Sequence, residues 1–178
     1  KRSQIQAKLD ALSAEHSNVA DRLSLSRTEA SQSFAASIQE SIRDMELPYS
    51  IFEVEILQAP LSASGHDSVS FRFSSTGKNP VDVAKCASGG EMSRIMLALK
   101  SMMARYANMP TMIFDEIDTG VSGSVADRMG SVICAMGEYM QVFAITHLPQ
   151  VAAKGTAHYL VSKDIDPLTS HAVSKIER

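Results

Sequence analysis

Cysteine is scarce. Cys86 and Cys134 are the only two in 178 residues, too few and too far apart for a zinc-ligand pattern or a disulfide framework, so a reducing compartment and two buried thiols are expected. Long apolar runs are missing as well. Nothing approaches the ~20 consecutive apolar residues that a membrane-spanning helix needs, and the opening KRSQIQAKLD lacks the apolar centre of a secretory signal, so no membrane partner is expected. Neither sign of charge dominates: 17 basic against 20 acidic side chains leave -3, which argues against a broadly basic nucleic-acid surface but leaves room for a local patch. A P-loop is absent too. Gly77 and Lys78 stand in STGKNP, but Asn79 occupies the Ser/Thr position and Arg72 the position of the first glycine. With 44% hydrophobic and 21% charged residues, the chain reads as a soluble, cytoplasmic globular domain with an appendage. It starts without methionine inside a helical pattern, so a fragment of a longer chain is expected.

The appendage is the amino-terminal segment, residues 1–47. Ile5, Leu9, Leu12, Val19 and Leu23 follow an alternating four-and-three spacing in which His16 fills one interrupted position. The pattern weakens through Ser26 and Ala30, shifts register near Ser31 to Ser33, and resumes at Phe34, Ile38, Ile42 and Met45 before Pro48 closes it. A long helix forming one arm of a coiled coil fits, and so does a single amphipathic surface helix. A coiled coil would need a second strand that this chain does not contain.

Residues 48–178 read as an α/β domain. SIFEVEIL and DSVSFRFSS alternate apolar and polar residues and predict an antiparallel pair joined by the loop QAPLSASGHD. Farther on, TMIFDE, QVFAITH and HYLVSKD alternate with helical stretches, which predicts a mainly parallel sheet flanked by helices, with SHAVSKIE as a further edge strand. Val125, Met129, Val132, Ile133 and Met136 mark a crossover helix between the first two of these strands, and right-handed connection is the rule.

Three short stretches carry chemistry. In CASGGEMSRIMLALKSMMARY a helix is entered through Ser88, Gly89 and Gly90; Ser88 and Glu91 have the spacing of a capping box. A cap needs no glycine, and paired glycines raise the entropic cost of ordering the chain. They do leave a bare backbone beside N–H groups and a positive dipole end, where a phosphate could approach. TMIF then ends in Asp115 and Glu116, at the strand edge where ligands of open parallel sheets bind. Asp115 could hold Mg2+ directly or through water, while Glu116 orients and deprotonates an attacking water; a turn with a solvated acid is the plain alternative. QVFAITH ends in Thr146 and His147, and that histidine could contact a phosphate or merely satisfy a backbone group. Parallel strands would put Asp115, Glu116 and His147 on one edge. GVSGS after the acidic pair lacks the pattern of a nucleophile elbow.

ASGGE opening a helix, MIFDEID ending a strand and AITH ending the next occur in the order found in ATPases of the ABC type. They resemble the signature motif, the Walker B motif with its catalytic glutamate, and the switch histidine. More closely, ASGGEMSRIMLALK, IFDEIDTGVSG and ITHLPQVAAKG resemble the carboxyl-terminal part of the head in the RecN family, bacterial DNA-repair ATPases of the SMC/ABC type, from about Val83 to Asp164. The resemblance implies ATP and Mg2+ as cofactors. It implies that Ser88, Gly89, Gly90 and Glu91 meet the ATP of a second head in an ATP-dependent homodimer, that Asp115 serves Mg2+, that Glu116 is the general base and that His147 senses the γ-phosphate. It also implies an amino-terminal P-loop lobe as partner, DNA as the target in double-strand break repair and recombination, and a bacterial cytoplasm at the nucleoid. Ala87 in place of leucine, Glu91 in place of glutamine and a TGVSG loop without the usual aspartate argue against a transporter and put coupling of the dimer through that loop in doubt. A chromosome-cohesion or condensation head and a non-enzymatic coiled-coil assembly module are the alternatives. Lacking a P-loop, the chain alone is expected neither to bind ATP tightly nor to hydrolyse it.

Overall fold

The computed structural model describes residues 2–85, 88–165 and 172–178, which fall into two compact units, Lys1–Leu99 and Lys100–Arg178. The first unit opens with α1, Arg2–Asp44, a helix of 43 residues. It stops three residues short of the expected end: Glu46 turns into the left-handed region at φ 66°, and the Met45 and Glu46 N–H groups close a tight turn on Ile42 and Arg43. Pro48 then follows as a residue that cannot resume the helix.

The two halves of α1 have different fates. Phe34, Ile38, Ile42 and Met45 turn toward a β-hairpin, and the last three are fully buried. In contrast, Ile5, Leu9, Leu12 and Val19 are 68%, 57%, 54% and 54% exposed, so the heptad stripe has no cover among the described residues. The hairpin is formed by β1, Ile51–Ser62, and β2, Gly65–Ser74, paired antiparallel with Phe52 opposite Phe73 and Val54 opposite Phe71. Phe34 stacks on Phe71 at 5.8 Å between ring centroids, and Phe52 lies 5.6 Å from Phe71 and 6.5 Å from Phe34. Each such ring pair adds about 0.5–1.5 kcal/mol beyond the area it buries. Polar ties complete the seam. Gln39 accepts the Phe52 N–H at 3.1 Å, and the Arg43 guanidinium donates twice to the Ser50 carbonyl.

Farther along α1, Asp67 accepts from Ser24 and Arg27, both at 2.8 Å, and His66 meets Asp21 at 2.8 Å. The hydrogen bond from Arg27 holds the Asp67 carboxyl below its usual range, whereas the bond to Asp21 raises His66 above its ordinary value.

The expected ten-residue loop between the strands is mostly strand. QAPLSASGHD stays in the ladder except for a register shift between Gln58 and Ser62, and the chain reverses over Ala63 and Ser64. Pro60 falls inside the irregular stretch, where its missing N–H leaves no ladder bond broken. A two-residue strand β3, Val81–Asp82, adds to β2 within what was expected to be loop, followed by a single 3-10 turn, Val83–Lys85. Next comes α2, Gly89–Ala107, with Ile95, Leu97 and Ala98 buried.

In the second unit β4, Thr111–Asp115, and β5, Gln141–Ile145, run parallel with Asp115 opposite Ile145. They are joined by the expected crossover helix α3, Gly123–Met136. Met129, Ile133 and Met136 form its buried stripe, with Ala126 and Gly130 beside them. Cys134 sits one residue off that stripe, about 100° around the helix from Ile133, and is exposed, contrary to expectation. Cys86 lies outside the described residues. A side chain on Gly130 would come within 3.2 Å of the Val151 Cα and 3.3 Å of the Gln150 carbonyl, so glycine is what lets the short helix α4, Pro149–Ala152, approach α3.

HYLVSKD does not join the parallel pair. Among the described residues β6, Leu160–Ile165, pairs antiparallel with β7, Ala172–Glu177, in a sheet of its own. Parallel neighbours need a crossover of about a dozen residues or more, and only residues 166–171 separate these two strands, so a hairpin is the pairing their linker permits. The start of SHAVSKIE, Ser170 and His171, lies outside the described residues.

Candidate active site

The helix start carries the local structure that its sequence encodes. Ser88 Oγ accepts the Glu91 N–H at 3.1 Å, and the Ser88 carbonyl accepts the Met92 N–H at 3.1 Å, so the serine half of the capping box is formed. Arg94 donates to the Gly90 carbonyl at 3.0 Å and to the Met45 carbonyl at 3.2 Å, which fixes the first turn of α2 to the end of α1. Burial lowers the Arg94 guanidinium from its usual value. Gly90 is buried in this junction. Gly89 is exposed, has no positive φ, and a Cβ built on it would meet nothing within 4 Å. The fold of this unit therefore makes no demand for glycine at 89, and the helix N-terminus beside it is open to solvent. Ala87, the departure from leucine noted in the sequence, lies outside the described residues.

In the second unit the parallel register brings Asp115, Glu116 and His147 to the carboxyl edge of one strand pair, all three exposed. Glu116 sits in the left-handed region at φ 48°, where a residue other than glycine carries strain of ~1–3 kcal/mol. Three hydrogen bonds hold it there. Its N–H donates to the Ile145 carbonyl at 3.1 Å, while its own carbonyl accepts the Thr119 N–H at 3.1 Å and the Thr119 hydroxyl at 2.8 Å. The backbone is thereby pinned while the carboxylate stays free at the edge.

Sequence reasoning missed two residues beneath this edge. Asp118 is 1% exposed, and one of its carboxylate oxygens accepts the Thr146 hydroxyl proton. Thr146 Oγ1 in turn accepts the Leu148 N–H at 2.9 Å. The available signal was a third acid three places after Asp115 and a threonine before His147, but nothing in the linear order joined them.

Among the described residues no group of three or more His, Cys, Asp or Glu side chains converges to hold a metal. Mg2+ keeps several waters and is commonly held by one or two carboxylates together with substrate phosphates. Asp115, a single exposed carboxylate at a strand end, fits as such a donor. No helix among the described residues is long and apolar enough to cross a membrane.

No family model matches the chain. The DNA repair protein RecN of Xylella fastidiosa is 36% identical over 163 residues, covering 89% of this chain and 29% of that protein. RecN proteins of other bacteria match at 35–38% identity. Among solved structures, the Smc head domain of Pyrococcus furiosus, with an extended coiled coil and bound to the C-terminal domain of ScpA, covers 98% of this chain and 42% of its own at TM-score 0.65 and 16% identity. A structure described for ATP-driven dimerization and DNA-stimulated activation of SMC ATPases covers 81% of this chain and 86% of its own at TM-score 0.53 and 19% identity. Likeness at such identity shows the fold alone, that of an SMC-type head. The sequence matches go further: spanning less than a third of the length of the relatives it matches, the chain is similar to one part of RecN proteins along most of its own length.

Proposed function

We propose that the chain is the carboxyl-terminal part of the head of an ATPase that acts in DNA double-strand break repair and recombination, with residues 1–47 as the returning coiled-coil arm and 48–178 as the head segment. The observation that carries this reading is the shared edge of Asp115, Glu116 and His147, with Glu116 pinned in a strained backbone conformation. The RecN relatives are named DNA repair proteins, and their identity of 36% against 16–19% for the Smc heads favours this reading over a chromosome-condensation head.

Glu116 takes a proton from the water that attacks the γ-phosphorus; the bond to the β,γ-bridging oxygen breaks, and ADP and phosphate leave. Asp115 would hold Mg2+, directly or through water, and the ion would supply neutralisation of charge on the phosphates when bound. His147 donates a hydrogen bond to a γ-phosphate oxygen and so reports whether it is present. Ser88, Gly89, Gly90 and Glu91 meet the ATP of a second head, using the open helix start. The P-loop comes from an amino-terminal lobe. Two features support such partners. Ile113, Phe143 and Ile145 on the parallel pair are 62%, 45% and 55% exposed, although parallel strands are ordinarily covered on both faces. The bare stripe Ile5, Leu9, Leu12 and Val19 suits a second helical arm.

In the protein carrying both lobes, Glu116→Gln should lower ATP turnover by about 10²–10⁴-fold while ATP still binds, since only the base is lost. Turnover at the parent rate would remove Glu116 from this role.

A further inference from the structure

We propose that Asp118 and Thr146 form a positioning clasp that sets the general base and the γ-phosphate sensor in register with each other, an inference that rests on the ATPase reading of the same edge. Thr146 has one hydroxyl proton. That proton goes to Asp118 while Oγ1 accepts the Leu148 N–H, so the hydroxyl is engaged both as donor and as acceptor. Leu148 and Thr146 flank His147 on either side, so the pair of bonds orients the peptide groups around the histidine. In the turn after β4, Asp118 is two residues beyond Glu116, and its carbonyl accepts the Val121 N–H at 3.2 Å, which folds the loop back on itself. The Glu116 N–H reaches the Ile145 carbonyl at 3.1 Å and makes the second crossing between the same two segments. One crossing is main chain to main chain; the other depends on two side chains.

The clasp is not what packing alone would select. Asp118 is buried with its Oδ1 lacking a hydrogen-bond partner among the described residues, an unfavourable setting for a carboxylate. Asp118 and Thr146 touch neither the phosphate nor the water in this reading. They act through Glu116 and His147.

The test uses the protein that carries both lobes, with ATP as substrate. Thr146→Val and Asp118→Leu, which remove the donor and the acceptor at similar volume, should each lower kcat by about 10–100-fold and leave KM within about twofold, the scale seen when a supporting residue behind a site is lost. Thr146→Ser, which keeps the hydroxyl, should retain the parent kcat, and the double variant should be no worse than the poorer single one. Hydrogen exchange at the Leu148 amide should accelerate in Thr146→Val and not in Thr146→Ser, with or without nucleotide. Parent kcat in either Thr146→Val or Asp118→Leu, an equal loss in Thr146→Ser, or unchanged exchange at Leu148 would each overturn the clasp. Should one of the two fail to fold, the other decides by its kcat. Glu116→Gln separates the two levels: inactive Glu116→Gln beside fully active Thr146→Val or Asp118→Leu sinks the clasp alone, and active Glu116→Gln sinks the reading beneath it.

Discussion

Two glycine-to-alanine changes should move stability and function in opposite directions. At Gly130 the new methyl would stand 3.2 Å from the Val151 Cα, 3.3 Å from the Gln150 carbonyl and 3.1 Å from the Lys154 Cγ. The lysine stem can swing aside, although Lys154 also pairs with Asp127 at 2.9 Å; the two backbone atoms can yield only if α4 lifts off α3. Overpacking of this kind costs about 1–3 kcal/mol, offset by at most ~1 kcal/mol from alanine's better helix propensity. At Gly89 nothing lies within 4 Å of the new methyl, so only the helix term remains and stability should hold or rise slightly. For a domain of this size each kcal/mol shifts Tm by ~2–4 °C, within reach of calorimetry or urea titration. In the two-lobed protein Gly89→Ala should nevertheless weaken ATP-dependent dimer formation, because the methyl enters the space left for a phosphate. A destabilised Gly89→Ala would mean that the glycine serves the fold. A stable one with unaltered ATP-dependent dimers would mean that no phosphate approaches there.

Ser88→Arg should abolish ATP-dependent dimers by placing a bulky side chain at the helix start, and sizing chromatography with and without ATP would read it; dimers as strong as those of the parent count against the trans role. For the chain by itself, isothermal titration should detect no micromolar ATP binding, since no P-loop sequence is present, and clear saturation would contradict that. The clip between α1 and β2 should depend on pH from both sides. His66, raised by its bond to Asp21, contributes fully below about 6.5 and loses that contribution as pH rises through its higher folded value. Asp67, lowered chiefly by Arg27, contributes above about 3.8 and loses its share as pH falls through its lower folded value. Comparing unfolding of the parent and His66→Gln from about pH 5 to 9 isolates the upper limb, and a difference that does not shrink as pH rises would refute it.

Much of the architecture was legible because it follows from local periodicity. The alternation in SIFEVEIL and DSVSFRFSS, the apolar TMIF and QVFA runs, and the stripe Met129, Ile133, Met136 each specify an element, and the parallel register follows from the helix between β4 and β5. What failed depended on pairing. QAPLSASGHD has the composition of a loop but stays in the ladder, because hydrogen bonds to β2 outweigh its weak strand propensity. HYLVSKD looks like its parallel predecessors, and only its short link to β7 sends it into a hairpin.

The sequence by itself determined which residues carry charge, hydroxyl and bare backbone at the ends of strands and helices: Ser88, Gly89 and Gly90, Asp115 and Glu116, and His147. The apolar strand runs and the helix between them also anticipated the common edge of Asp115, Glu116 and His147, whereas the tertiary structure alone revealed that a buried Asp118 grips Thr146 beneath that edge. The physical reason is that capping and strand termination depend on neighbours a few residues away. A hydrogen bond across 28 positions exists only once two strands lie side by side.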